Sequence, residues 1–143
     1  MKINVILSVL LLSICLCSCK KLGCTDQNAM NFEKEAKKND QSCTYEGSVG
    51  IWFDTVKAQE YAVDSVITLI YFVDGNNVGT ISSGQYSNVL PTCDSPEVLT
   101  VEFNMGKVSS AAHSLIVKRE TGLVIDNYIF TVEGGKCSLY LLK

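Results

Sequence analysis

Histidine is almost absent from this chain, since only His113 carries an imidazole among 143 residues. A serine or cysteine nucleophile that relies on a histidine base would have to use it, yet no Gly-x-Ser-x-Gly turn accompanies it. The sequence also lacks a glycine-rich phosphate loop behind a strand, and its net charge of −3 is too mild to indicate nucleic-acid binding. We therefore predict that the protein is not an enzyme, holds no cofactor and binds no nucleic acid, and we interpret His113 as an exposed strand residue.

Long apolar runs are equally scarce, because one covers residues 3–16 and no second one follows. This run is too short to span about 30 Å of hydrocarbon comfortably. A lysine precedes it and the small residue Ser18 follows it, which is the order of a secretory signal. Because Ser18 stands just before Cys19, residues 1–18 resemble a bacterial lipoprotein signal peptide. The resemblance implies cleavage after residue 18 and acylation of Cys19, whereas Cys15 and Cys17 follow large residues and are poorer candidates.

An acylated Cys19 would hold the protein on a membrane, because each buried CH₂ contributes about 0.8 kcal/mol. Residues 19–22 would then form a short tether, with Lys20 and Lys21 either at the lipid headgroups or in solvent. We expect a lipid-anchored protein of the outer membrane. Among bacterial lipoproteins of the kind that this signal resembles, those sent to the cell surface often carry acidic residues after the lipidated cysteine. The lysines found here therefore favour the periplasmic face.

Four further cysteines follow Cys19, and an even number in an oxidising compartment indicates two disulfides. Four cysteines allow three pairings, among which sequence alone does not choose. Spacing favours Cys24 with Cys43 and Cys93 with Cys137, because each bond then staples one module. In the chain-entropy model these loops would contribute about 3 and about 4 kcal/mol respectively.

Residues 23–45 are too few and too polar to bury a core, so they need a staple. One or two helical turns are predicted over residues 32–38, where acidic residues precede lysines. The segment resembles the short repeat GCTDxxAxNYxxxAxxDDGSCxY of secreted and lipid-anchored Bacteroidetes proteins, from which it departs at Asn39 and Gln41. The matching positions are residues 23–26, Ala29, Asn31, Phe32, Ala36, Asp40, Ser42, Cys43 and Tyr45.

Calcium is the metal that this segment could hold, because Asp26, Asn28 and Asp40 supply oxygen ligands. Asn31 and Asn39 could add two more. Few of these ligands are carboxylates, however, and nearby lysines oppose a cation. We therefore predict no metal and interpret the same residues as caps of turns.

Residues 47–143 are predicted to form an antiparallel β-sandwich of about seven strands, because short apolar segments alternate with turn residues. A helix is the alternative over residues 108–117, but β-branched residues before a Thr-Gly turn favour a strand. The strands are predicted at residues 49–53, 64–73, 78–81, 98–103, 113–119, 123–132 and 137–142.

This region is similar to the small C-terminal β-domain of many Bacteroidetes lipoproteins. The similarity rests on residues 47–53, the Val-Gly-Thr-Ile segment at 78–81, the Tyr-Ser pair at 86–87, Cys93 and residues 137–141. It implies a transthyretin-like or immunoglobulin-like sandwich in which Cys93 is bonded to Cys137, and it implies no activity.

Two local patterns suggest further sites. Thr55 and Ser65 each follow an aspartate and precede a valine, which resembles the Asp-Ser/Thr-aliphatic O-glycosylation pattern of Bacteroidetes. The loop at residues 82–95 carries Gln85, Tyr86 and Asn88, which could contact a ligand, as loops on rigid sandwiches often do. An ordinary loop held by its cysteine is the alternative.

We therefore expect a cell-envelope lipoprotein with a non-catalytic binding or structural accessory role at the outer membrane. Its partners would be the membrane, through the lipid anchor, and a protein or glycan ligand. The alternatives are a periplasmic enzyme or enzyme inhibitor, and a subunit of a larger envelope complex.

Overall fold

The computed structural model describes residues 20–143, so the predicted signal peptide and Cys19 lie outside the described residues. Residues 20–44 form a small module built around the Cys24–Cys43 disulfide. Its strands β1 (Leu22–Gly23) and β2 (Lys38–Asn39) pair in parallel. The prediction of helical turns over residues 32–38 is wrong, because none of these residues is helical. Backbone amides there bond across the module instead, since the Glu33 N–H donates to Cys24 O at 2.8 Å and the Lys37 N–H to Lys21 O at 2.8 Å.

Seven further strands make the main body of the protein, as predicted. A helix, α1, lies between the first two of them and was not predicted. The elements are β3 (Tyr45–Trp52), α1 (Thr55–Val63), β4 (Thr68–Val73), β5 (Asn76–Ser82), β6 (Leu99–Gly106), β7 (Ser110–Arg119), β8 (Val124–Glu133) and β9 (Cys137–Leu141).

These strands form two sheets, with orders β6-β3-β9 and β5-β4-β7-β8. The prediction of a mainly β, sandwich-like fold is therefore confirmed. The expectation that every pair is antiparallel is wrong for β9, which pairs with β3 in parallel from Ser48–Cys137 to Trp52–Leu141. The cause is the short turn at residues 134–136. It reverses the chain at the end of the sandwich where β3 begins, so that β9 then runs beside β3 in the same direction.

The core lies between the two sheets. Its residues alternate along each strand, as expected for a sheet with one face buried. In β4, for example, Leu69, Tyr71 and Val73 point inward, whereas Ile70 and Phe72 lie half-buried on the other face. The other buried residues that fill the space between the sheets are Val49, Ile51, Phe53, Ile81, Met105, Leu115, Val117, Phe130 and Val132.

Helix α1 covers one end of the sandwich, which we call the α1 end. The helix begins after Asp54, whose carboxylate accepts a hydrogen bond from the Lys57 N–H at 3.1 Å and thereby caps the first turn. Ala58 and Tyr61 face the sandwich, and the Tyr61 ring meets Phe53 edge to face at 5.4 Å. Burial of one helical face explains why this short segment is helical.

The opposite end carries the N-terminal module, and we call it the module end. Tyr45, at the start of β3, donates its hydroxyl to the Asp26 carboxylate at 2.7 Å. Gly135 approaches the backbone of Asn28 so closely that a Cβ there would lie 2.6 Å from the Asn28 carbonyl oxygen. The module is therefore packed onto the sandwich.

Candidate functional site

The long loop at residues 83–98 presents exposed apolar side chains at the α1 end. Tyr86, Val89 and Leu90, which we call the apolar loop tip, have 40%, 72% and 76% of their surface exposed. Between Tyr86 and helix α1 lies a hollow of about 300 Å³, lined by the helix residues Thr55, Ala58, Gln59 and Ala62 and the loop residues Ser83, Gly84 and Tyr86.

Buried contacts hold the base of this loop. Ser87 is buried; its N–H donates to Phe53 O at 3.1 Å and its hydroxyl to Val89 O at 2.8 Å. The Thr55 hydroxyl bonds to the Asn88 side chain, which ties the loop to the start of α1. The loop tip is therefore presented on a fixed base.

A disulfide fixes the far side of the loop. Cys93 and Cys137 are bonded, and this joins the loop to the start of β9 across the outer face of the three-stranded sheet. Gly50 lies beneath that crossing, because a Cβ at this position would come within 2.7 Å of Val98 and 3.3 Å of the Cys93 sulfur. Both disulfides match the pairing that the cysteine spacing favoured.

Of the three loop residues predicted to contact a ligand, the structure leaves the Tyr86 ring facing outward. Gln85 is used inside the loop, where its amide donates to Pro96 O at 3.3 Å and accepts from the Ser82 N–H at 3.4 Å. Asn88 is used by Thr55. Val89 and Leu90 were missed, although two adjacent aliphatic residues in a polar loop are a signal that sequence reasoning could have used.

A buried polar cluster lies under α1 and was also missed. Asp126 of β8 accepts a hydrogen bond from the Lys57 ammonium at 3.1 Å and one from the Tyr61 hydroxyl at 2.8 Å. The Lys57 and Asp126 side chains are only 11% and 14% exposed. Burial opposes the charge on Lys57, but bonds to Glu60 and Asp126 outweigh it, so the pKa of Lys57 is raised. Burial, reinforced by Asp126, raises the pKa of Tyr61 far above its ordinary value.

These shifts keep Lys57 charged and Tyr61 protonated at neutral pH. Neither state suits a nucleophile or a general base. The geometry instead indicates a structural role, because the cluster joins α1 to the four-stranded sheet. Tyr71 adds a buried hydroxyl with no hydrogen-bond partner among the described residues.

His113 is not the exposed residue that was predicted. Its side chain is 16% exposed. The centroid of its ring lies 4.2 Å from the centroid of the Phe103 ring. Nδ1 lies 2.7 Å from the Asp74 carboxylate and donates to it, since a carboxylate can only accept. Nε2 is buried and has no partner within residues 20–143.

No local pattern indicated the burial of His113, because its partner, Asp74, is 39 residues away. Asp74 occupies the tight turn between β4 and β5, where Asp74 and Gly75 both have positive φ angles of 49° and 81°, as a two-residue hairpin turn requires. The remaining carboxylate oxygen accepts from the Ser114 N–H at 2.9 Å and from its hydroxyl at 3.2 Å. The Ser114 hydroxyl therefore bonds to Asp74 and not to Nε2 of the histidine, so Ser114, His113 and Asp74 do not form a nucleophilic triad.

Four of the five side chains considered for calcium accept hydrogen bonds from the backbone of the module. Asp26 accepts from the Asn28 N–H at 2.9 Å, and Asp40 accepts from the Ser42 N–H at 2.9 Å. Asn31 and Asn39 likewise accept from main-chain amides, at 2.8 Å each. The hydrogen bond from Asn28 and then that from Tyr45 lower the pKa of Asp26. Among residues 20–143, no three His, Cys, Asp or Glu side chains cluster closely enough to hold a metal ion.

The two candidate glycosylation residues differ in accessibility. The hydroxyl of Thr55 is engaged with Asn88 at the first turn of α1. Ser65 is exposed just beyond the helix, with a positive φ of 55°. Ser65 is therefore the more accessible of the two, and glycosylation of either residue stays a prediction.

Comparison with known proteins does not assign this chain to a family. No protein-family model, no curated protein and no solved structure matches this chain. Within residues 20–143, no helix combines the length and the apolar character needed to cross a membrane.

Proposed function

We propose that the protein is a lipid-anchored cell-envelope protein of the outer membrane that faces the periplasm and binds another protein without catalysing a reaction. The observation that carries the binding role is the apolar loop tip. It lies at the α1 end, opposite the module through which the chain leads back to Cys19. A ligand-binding surface at that end would point away from the membrane.

The chemistry of the loop tip favours a protein over a glycan. Exposed aliphatic side chains such as Val89 and Leu90 gain free energy by burial against apolar surface, but they offer sugar hydroxyls no hydrogen bonds. The neighbouring helix adds two more exposed valines, Val56 and Val63. Clustered exposed apolar residues of this kind are typical of protein interaction surfaces.

Photo-crosslinking in intact cells would test the binding role. A photoreactive amino acid replaces Leu90 in one variant and Ile129 in the control. The two positions are similarly exposed, at 76% and 74%, but Ile129 lies on β8, away from the loop. We expect a discrete protein adduct from position 90 and none from position 129. Identical patterns at both positions would overturn the proposal, and a diffuse adduct removed by glycosidases would favour a glycan ligand.

The anchor is tested separately, by intact mass of the protein purified from native membranes. We expect the mass of residues 19–143 plus acyl chains. A mass equal to that of the bare polypeptide, or a different first residue, would contradict acylation at Cys19. Any additional hexose mass would be traced to Thr55 or Ser65 by peptide mapping.

A further inference from the structure

The chain leaves the module with almost no free length before Cys19. Lys21 O accepts a hydrogen bond from the Lys37 N–H, and Leu22 pairs with Lys38, so Lys21 and Leu22 of the predicted tether belong to the folded module. Two residues of chain span at most about 7 Å, so an acyl group on Cys19 would start close to Lys21. If Cys19 is acylated, as proposed above, the corner where β1 meets β2 must lie at the bilayer surface.

The parallel pairing of β1 with β2 also gathers positive charge at this corner. It brings Lys37 and Lys38 beside the segment that contains Lys20 and Lys21, and all four lysines are exposed. Lys21 also pairs with Glu33. The other three lysines make no ion pair within residues 20–143. This cluster is not evident from the order of residues in the chain, because 15 residues lie between Lys21 and Lys37.

An exposed apolar residue lies inside the cluster. Leu22 is 56% exposed and sits opposite Lys38 in the β1–β2 pair. Phe32 is also exposed. It forms a parallel β-bridge with Cys24, which is two residues after Leu22. Apolar side chains among lysines are suited to a membrane interface, where they enter the headgroup region and the ammonium groups meet lipid phosphates.

The charge of the rest of the protein is of the opposite sign. Residues 20–44 carry five lysines and four carboxylates, whereas residues 45–143 carry six basic and eleven acidic side chains. An anionic surface would therefore attract the module and repel the sandwich, which would turn the α1 end outward.

We propose that the corner formed by Lys20, Lys21, Leu22, Lys37 and Lys38, which we call the basic foot, docks on the anionic phospholipid surface of the membrane that holds the anchor. Docking fixes the orientation of the sandwich, so that the apolar loop tip faces away from the bilayer.

Lysine footprinting of the native acylated protein would test this docking. The protein is reconstituted in vesicles of phosphatidylcholine alone or with added phosphatidylglycerol, and a membrane-impermeant acetylating reagent is applied. We expect acetylation of Lys20, Lys37 and Lys38 to fall about fivefold in the anionic vesicles and to recover in high salt. Acetylation of Lys143, at the α1 end, should not change.

Paired charge reversals provide the matched control. Lys37→Glu with Lys38→Glu should abolish the protection of Lys20, whereas Lys118→Glu with Lys143→Glu, the same change in charge toward the α1 end, should leave it intact. Equal acetylation in both kinds of vesicle would overturn the basic foot while leaving the anchor standing. Protein that floats with neither kind of vesicle would instead refute the proposed anchor. Protection seen in native membranes that have been opened to the reagent, but not in anionic vesicles, would mean that a protein covers the foot, which also overturns lipid docking.

Discussion

Asp126 is the residue on which the attachment of α1 depends most. Its two carboxylate oxygens each bind a different side chain of the helix, Lys57 and Tyr61. Removing one partner of a buried ion pair costs more than the pair itself contributes, because the other charge is left in a poorly solvated place. Substitution of Asp126 should therefore lower the free energy of unfolding by a large amount for a single side chain.

Asp126→Asn is expected to lower the free energy of unfolding by about 3 kcal/mol, because it leaves the Lys57 ammonium without its buried counterion. Urea denaturation followed by Trp52 fluorescence would measure it. The control, Asp94→Asn in the exposed part of the loop, should stay within about 0.5 kcal/mol of the parent protein. A similar small change for Asp126→Asn would show that the ion pair does not hold the helix.

Asp74 provides a second prediction, because its pKa is held below the ordinary value by hydrogen bonds from His113 and then from Ser114. A carboxyl with a lowered folded-state pKa stabilises the fold above its unfolded pKa of about 4. That stability is lost as the pH falls through the lower, folded-state pKa. Asp74→Asn, which tolerates the positive φ at this turn, removes the contribution.

Unfolding measured between neutral and strongly acid pH would check this effect. We expect the variant to be less stable than the parent protein at neutral pH, with the difference shrinking toward acid pH. The exposed substitution Glu35→Gln should keep the full acid dependence. A constant difference at every pH would mean that Asp74 acts through its shape and not through its charge.

At the scale of elements, the loop at residues 83–98 owes its position to the bond between Cys93 and Cys137, across 44 residues of chain. The loop has no strand or helix of its own. Ser87 is hydrogen-bonded to Phe53. From there to the start of β6, the disulfide is the covalent bond that attaches the loop to the sandwich. The apolar loop tip is therefore held by Ser87 and Asn88 at its base and by the disulfide on its far side.

Cys93→Ser with Cys137→Ser should lower the free energy of unfolding by about 4 kcal/mol in the chain-entropy model and expose the loop to proteolysis. Limited digestion with mass mapping would locate the new cuts, which we expect near residues 88–92. Cys24→Ser with Cys43→Ser serves as the comparison, since it should cost about 3 kcal/mol and open the module instead. Cuts in the same places for both variants would argue against a local role for each disulfide.

At the scale of the whole molecule, the two ends of the protein differ. The module and the basic foot lie at one end, and helix α1 and the apolar loop tip at the other. A protein built this way and anchored through Cys19 would hold its binding surface several nanometres from the bilayer, since strands of eight to ten residues at about 3.3 Å per residue separate the two ends.

Protease shaving of cells would establish which compartment that surface enters. Antibody detection of residues 45–143 after treatment of intact and lysed cells is the measurement. We expect protection in intact cells and digestion after lysis, because the lysines after Cys19 favour the periplasmic face. Loss of signal from intact cells would place the sandwich on the cell surface.

Much of this fold was readable from the sequence. The number of strands in the sandwich, and a strand rather than a helix over residues 108–117, followed from local alternation and turn residues, which are properties of neighbours along the chain. The cysteine spacing favoured the observed pairing, because each bond then staples one module, although four cysteines allow three pairings. Helix α1 was missed, since its helicity depends on burying Ala58 and Tyr61 against the sandwich and its own pattern is weak.

The sequence by itself determined the strand pattern and the apolar leader that predicts an anchor, and its cysteine spacing favoured two disulfide-closed modules, because each depends on residues close together in the chain or on simple counting. The tertiary structure alone decided which polar groups are buried together. Lys57 and Asp126 are 69 residues apart, His113 and Asp74 are 39 apart, and the basic foot joins two segments through β1 and β2. Contacts of that range depend on how the sheets and the module pack, which no local pattern specifies.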